Sequence, residues 1–400
     1  MTNLDSRPLD AADPLAPFRD RFAPTEPGAV YLDGNSLGRP PKAALEGLAR
    51  IAETWSTRMI RGWEDGWLEL PLVVGDQIAA GILGAEPGTV AVADSTTVNL
   101  YRAASAALDA RPDRKAIVVE RSEFPTDRYI VEGLARERNF EIRWIDGDPV
   151  EGLTTTDIAR ELDADTALLI LSVINYRSAA IVDMRAVTNA ARATGALVLW
   201  DLSHAGGSIP VNLAANGIDL AVGCTYKYLN GGPGAPAYLY VRRELQDELR
   251  PPIQGWFAQS NQFEMGPAFE RRAGIGGWLV GTPGIIALTA VQAGIEIVAE
   301  AGIDAIRAKG IALTEYAIAL TDELLAPLGC SVGSPRDSTR RGAHVSIRHP
   351  EARRLTREMI ARGVIPDFRA PDSVRVGLSP LTTSFADVRT GIETIRDLLG

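Results

Sequence analysis

Lys227 stands between a short apolar run and a glycine-rich turn, in Val222-Gly223-Cys224-Thr225-Tyr226-Lys227-Tyr228-Leu229-Asn230-Gly231-Gly232-Pro233-Gly234. An ammonium held at a strand end is costly to bury unless it is paired or made neutral. A Schiff base with a carbonyl cofactor neutralises it chemically; the plain alternative is an exposed loop lysine. Upstream, Trp200-Asp201-Leu202-Ser203-His204-Ala205-Gly206 sets an acid at the C-terminal end of an apolar strand, the edge at which α/β sheets bind ligands. Alone, Asp201 reads as a helix cap or turn acid, and His204 as a structural histidine. Paired with Lys227, Asp201 meets a need of pyridoxal phosphate, whose ring nitrogen must face a carboxylate to stay protonated and draw electrons. Asp94-Ser95-Thr96-Thr97-Val98-Asn99 lies between a strand and a helical stretch. Thr96 and Thr97 at a helix start suit a phosphate, although capping is the commoner use of such residues. Phe124, in Glu123-Phe124-Pro125-Thr126-Asp127, can stack on a planar ring or belong to the core.

These groups need a rigid sheet edge to bring them together. Strands are predicted at 90–93, 116–120, 141–145, 167–173, 196–200, 220–224 and 237–241, several of them apolar on both faces. Helical periodicity marks 42–57, 75–83, 99–108, 126–138 and 184–194. The alternation implies an α/β fold, a large, mostly parallel sheet wound on both faces. After Gly284 the character changes: helices over 285–328, a strand at 343–348, a helix at 351–362, a strand at 374–378, and a last helix at 385–399 capped by Ser384. That order suits a smaller α+β domain. Residues 1–28, rich in Pro, Asp and Ala, read as an extended arm. The expected division is an N-terminal arm and segment, 1–58, packing with the small domain, a large cofactor-binding domain, 59–290, and a small domain, 291–400.

Composition narrows the class. The 400 residues carry a formal charge of −10 and are 46% hydrophobic, which fits one or two well-packed globular domains. A net acidic chain without a basic cluster argues against nucleic acid as a partner. Two cysteines, Cys224 and Cys330, exclude a disulfide framework, and three histidines leave little for zinc. Neither a signal-type apolar region nor a membrane-length run is present in the sequence. A cytoplasmic enzyme acting on a small molecule is expected, without a membrane partner.

The chain resembles the kynureninases, class V members of the aspartate-aminotransferase-like fold (fold type I) of pyridoxal-phosphate enzymes. The likeness runs from Tyr31-Leu32-Asp33-Gly34-Asn35-Ser36-Leu37-Gly38 to Arg375-Val376-Gly377-Leu378-Ser379-Pro380-Leu381. Its most specific piece is the stretch around Lys227; Phe124-Pro125-Thr126-Asp127, Asn175-Tyr176-Arg177 and Gln254-Gly255-Trp256-Phe257 match as well. The resemblance implies hydrolysis of L-kynurenine to anthranilate and L-alanine. It implies that Lys227 carries the cofactor and moves the Cα proton, and that Thr96, Thr97 and Tyr226 hold the phosphate. Trp256 and Thr282 would help from the second subunit of a homodimer. Phe124 would stack on the ring, Asp201 would meet its nitrogen, and Asp127, Ser172 and His204 would hold its substituents. Arg375 would take the α-carboxylate, with Asn35 and Trp63 also on the substrate side, and Tyr226 is the candidate for protonating the alanyl carbanion. The family often has Thr where this chain has Ser172. Trp63 and Gly281-Thr282 resemble bacterial members that favour kynurenine over its 3-hydroxy form. Rival readings are a cysteine desulfurase or aminotransferase of the same fold, the former needing a nucleophilic Cys on a mobile loop, and a non-catalytic cofactor-binding sensor.

Overall fold

Seven short runs rich in Val, Ile and Leu pair into one sheet in the computed structural model, which describes residues 4–400. They are β1 (Val90–Val92), β2 (Ala116–Glu120), β3 (Glu141–Ile145), β4 (Thr166–Ser172), β5 (Leu197–Asp201), β6 (Leu220–Gly223) and β7 (Tyr238–Val241). The spatial order is β1-β7-β6-β5-β4-β2-β3. All neighbours are parallel except β7, which runs antiparallel to both β1 and β6. Alternate residues feed two cores. Val118, Leu169, Leu171, Val198 and Trp200 face one layer of helices. Ile117, Val119, Leu168, Ile170 and Leu199 face the other, where Ala103, Ala106 and Ala107 let the helix Thr96–Asp109 approach closely. Strand β3, at the edge, is the half-exposed one and carries Glu141 and Arg143, charges that discourage pairing with another chain.

A second sheet joins β8 (Ser331–Val332), β9 (His344–Arg348), β10 (Asp367–Arg369) and β11 (Ser373–Gly377), all antiparallel, in the order β10-β11-β9-β8. The helices Ala352–Ala361 and Phe385–Leu399 contribute to its core. The latter begins with a Ser384–Asp387 capping box, as its sequence foretells. The helix Ile285–Ala301 packs into the large core through Leu288, Val291 and Ile295. The next, Ile303–Leu320, gives Ile306 to the large core and Leu313, Ala317 and Leu320 to the small one. These two helices are apolar because they are buried, and no single helix among the described residues is long and apolar enough to cross a membrane.

Three sequence expectations change. The arm is not simply extended: Ser6–Ala11 is a helix capped by Asp5, and Ala16–Arg21 is a 3-10 turn with Pro17 in its first positions, where proline is tolerated. Leu15 and Phe22 are buried in the large core, so tertiary packing overrides the loop-like composition. The helix expected at 75–83 begins at Leu70, with Pro71 in its first turn. The short strands β8 and β10, and the parallel pair Val30–Tyr31 with Val364–Ile365, carried too few residues for a periodic signal.

The arm is fastened across both cores. Asp10 accepts from the amides of Phe385 and Ala386 at 2.9 and 3.0 Å. Asp13 pairs with Lys309 at 2.7 Å with both side chains buried. Removing one partner of such a pair strands the other charge. Asp13→Asn is therefore expected to lower unfolding stability by about 3–5 kcal/mol, read as a fall in the urea midpoint. An Asp13→Leu, Lys309→Met double variant should recover most of that loss.

Candidate active site

The C-terminal ends of β1, β4, β5 and β6, with the loop after β2, open on one cavity of about 180 Å³. After β1, Asp94 adopts a left-handed φ of 56°, and its carboxylate is held at 2.7 Å by Arg102, itself fixed at 3.0 Å to Asn99. This ion pair pins the helix start. Ser95 is the cap, accepting from the amide of Val98. Thr96 and Thr97 thus sit in the first helical turn, not ahead of a helix starting at Asn99 as the periodicity suggested. First-turn amides and hydroxyls at the positive end of a 14-residue helix can take an anion.

Phe124 precedes Pro125 at the start of the helix Pro125–Arg138. Its ring meets the edge of Tyr176 at 5.4 Å, and Lys227 Nζ stands 5.8 Å from its centroid. Asp127, in the same first turn, is fully buried, and neither of its oxygens has a hydrogen-bond donor. Burial and the Asp201 and Glu123 carboxylates push its pKa well above the ordinary range. That shift favours the protonated form of Asp127 beside Asp201. Burial raises Asp201 too, while the Ser203 hydroxyl, Lys227 and the Ser203 N–H, donating at 2.6 Å, draw it back. Ser172 lies beside Asp201 across the parallel pair β4–β5, and its amide and hydroxyl both donate to Glu123 at 2.5 Å. His204 is buried with Nδ1 unpartnered, and burial followed by the Lys227 charge holds it well below its usual range, neutral.

The Lys227 backbone is locked by its turn: the Asn230 amide donates to its carbonyl at 3.0 Å. Gly38 donates to the Tyr226 carbonyl at 2.8 Å, and a Cβ on Gly38 would lie 2.3 Å from the Lys227 oxygen. Only glycine allows that approach. Tyr226 is half-buried at the cavity wall, its phenol pushed upward in pKa by burial.

Nine expected residues thus line one cavity: Thr96, Thr97, Phe124, Asp127, Ser172, Asp201, His204, Tyr226 and Lys227. Five do not. Trp63 lines an adjoining apolar pocket of about 590 Å³ with Trp55 and Trp67, which shares Ala235 with the first. Arg375 and Asn35 are buried behind Tyr176, whose carbonyl accepts from Arg375 at 2.6 Å. Trp256 packs against Phe257 and Phe263 on an exposed surface, and Thr282 is exposed as well. Sequence reasoning missed Glu123 and Tyr176 as functional neighbours. Both stand in motifs that it singled out for Phe124 and Asn175.

The cavity fits pyridoxal phosphate. A helix start that takes an anion, a strand-end carboxylate, an aromatic face and an amine converge there, and the unpartnered Asp127 oxygens and His204 Nδ1 await polar partners. Comparison with known proteins narrows the family. A family model for the kynureninase C-terminal domain matches residues 306–395. The kynureninase of Pseudomonas fluorescens is 41% identical, and that of Burkholderia pseudomallei (strain 1106a) 42%, each over all of this chain and 95% of the relative. This chain belongs to the kynureninase family.

Solved structures similar in fold include the apo cysteine desulfurase of Thermococcus onnurineus NA1 (TM-score 0.80, covering 93% of this chain and 94% of that one) and a C-DES variant with glycine covalently linked to its PLP cofactor (TM-score 0.84, 95% and 99%). Both are 17% identical to this kynureninase-family chain, a likeness of fold alone. Neither cysteine is exposed. Cys330 is buried in the small-domain core directly before β8, its thiol pushed up to about 11 by burial, and Cys224 is buried after β6.

The Glu123 carboxyl has a consequence for stability. Burial, with the nearby Glu120 carboxylate, pushes it up to about 8 from an ordinary 4.5. The folded chain keeps a proton that the unfolded chain releases, so this group's contribution is full below pH 4.5 and is lost as pH rises towards 8. The melting temperature should accordingly fall across that window, and fall less in Glu123→Gln, which is neutral throughout. Equal slopes in the two proteins would show that Glu123 is ionised when folded.

Proposed function

We propose that this chain hydrolyses the Cβ–Cγ bond of L-kynurenine, giving anthranilate and L-alanine, with pyridoxal phosphate held in the cavity at Lys227. Identity of 41–42% with kynureninases over the whole chain carries the choice of reaction, and the cavity supports the chemistry. When bound, pyridoxal phosphate supplies an electron sink that steadies negative charge developing beside the amino group.

The chain's own residues do the rest. Thr96 and Thr97, with their helix start, would hold the phosphate, and Asp201, with Asp127 beside it, would meet the ring nitrogen. Phe124 would cover one ring face, and Ser172 and His204 would meet the ring's polar edge. Lys227 would anchor the cofactor and, from its fixed turn, would remove the Cα proton of the substrate. Tyr226 returns a proton to Cβ of the alanyl fragment, its high pKa keeping the phenol protonated until then. Arg375 takes the α-carboxylate, with Asn35 beside it, and the apolar pocket at Trp63 takes the aromatic ring. Trp256 and Thr282, exposed and outside their own chain's cavity, complete the phosphate site of a partner subunit in a homodimer. The proposed division is a large domain, 59–290, and a small one, 291–400, with the boundary inside the helix Ile285–Ala301 that packs into the large core and with the N-terminal segment fastened to both cores, in a cytoplasmic enzyme.

The test is incubation of purified holoenzyme with L-kynurenine, its 3-hydroxy form and L-cysteine in parallel. Anthranilate fluorescence with L-kynurenine, faster than turnover of the 3-hydroxy form, is expected. Sulfide release without anthranilate would overturn the proposal.

A further inference from the structure

Arg375 is already gripping a carboxylate. Its Nε and Nη2 donate to Asp367 Oδ1 and Oδ2 at 2.9 and 2.5 Å, Nη2 donates to Ser36 Oγ at 2.9 Å, and Nη1 donates to the Tyr176 carbonyl. With the Asn35 amide turned so that its oxygen faces the guanidinium, that oxygen lies 3.0 Å from Nε and 3.2 Å from Nη2. The side chain is 1% exposed. The planar fork that suits a free α-carboxylate therefore holds an internal one in the same two-pronged manner. The pairing is built into the fold, because Asp367 and Arg375 stand opposite each other in the antiparallel pair β10–β11. A second cation waits: Arg369, two residues along β10 and on the same face, reaches the same Asp367 oxygen at 2.6 Å and is one-third exposed. Tyr176 stands between this cluster and the cavity, lining the one and capping the other.

We propose that Asp367 is a stand-in for the substrate's α-carboxylate: it holds Arg375 in its fork geometry while the cavity has no amino acid, and it remains paired with Arg369 when the substrate takes its place. This inference rests on the cavity's being the amino-acid site described above. A displaced Asp367 with no other partner would be a buried, uncompensated charge; Arg369 removes that obstacle. Any ligand carboxylate must compete with Asp367, so the apparent affinity is lower than Arg375 alone would give. Asp367 is thus a positioning residue whose removal should tighten binding, whereas a mere support for Arg375 would, on removal, loosen it.

The experiment measures, on holoenzyme, the Kd of L-alanine, which carries the α-carboxylate and is the expected product, together with KM and kcat for L-kynurenine. Asp367→Asn should tighten the L-alanine Kd and lower KM by about fivefold or more. Arg369→Gln, which leaves Asp367 reliant on Arg375, should weaken both by a similar factor, and the double variant should lose that weakening. The methyl ester of L-kynurenine, lacking the carboxylate charge, should bind the unaltered and Asp367→Asn proteins alike. Unchanged or weaker L-alanine binding by Asp367→Asn, in a holoenzyme that splits L-kynurenine, would overturn the exchange and leave the amino-acid site standing. If the unaltered holoenzyme does not bind L-kynurenine, the site assignment itself falls, and the exchange with it. Should Asp367→Asn fail to fold, Arg369→Gln decides alone, and undiminished L-alanine binding by it would overturn the exchange.

Discussion

Lys227→Ala is expected to lower kcat on L-kynurenine by about 10²- to 10⁴-fold, the range that a positioned proton-transfer group contributes, with a further loss because the cofactor is no longer fixed to the chain. The fold should survive. Lys227 sits half-buried at the cavity wall and supports the structure through its backbone, whose carbonyl accepts from Asn230 and abuts Gly38, and alanine keeps both contacts. Melting temperature and circular dichroism should therefore match the unaltered protein. Single-turnover assays check the rate. A variant retaining a tenth of the activity would place the proton transfer on another group.

Arg375→Gln should have a comparable effect for a different reason. Truncating one partner of a buried, hydrogen-bonded charge pair removes about 2–5 kcal/mol of binding, so kcat/KM should fall about 30- to 5,000-fold, mostly through KM. Arg375→Lys keeps the charge and loses the fork, and should lie between. Stability should fall in Arg375→Gln as well, since Asp367 then depends on Arg369 alone. A kcat/KM unchanged in both variants would move the carboxylate site elsewhere.

Lys227 and Asp201 were legible in the sequence because Asp201 ends one apolar strand and Lys227 lies just beyond the next, and strands β2, β3 and the helix Met184–Thr194 fall where the patterns put them. Thr96 and Thr97 were legible as residues of a helix start at the cavity, although the helix starts earlier than its apolar period because Asp94, Arg102 and Asn99 fix its first turn through side chains. Glu123 was invisible as a site residue: its partner Ser172 is 49 positions away, and only the β2–β4 neighbourhood joins them. Asp367 and Arg369 escaped notice for a related reason. They lie on a three-residue strand, too short for a period-2 signal, and their meaning comes from the hairpin with Arg375. The arm misled in the opposite way, since its Pro and Asp content reads as loop while Leu15, Phe22 and Asp13 are buried by long-range packing.

The central claim is that the amine of Lys227 carries the cofactor. Borohydride reduction of the holoenzyme, followed by proteolysis and mass spectrometry, reads this directly. The label should appear on the peptide holding Tyr226-Lys227-Tyr228 and be absent from Lys42, Lys115 and Lys309. A label on any of those three lysines, with Lys227 unmodified, would contradict the account.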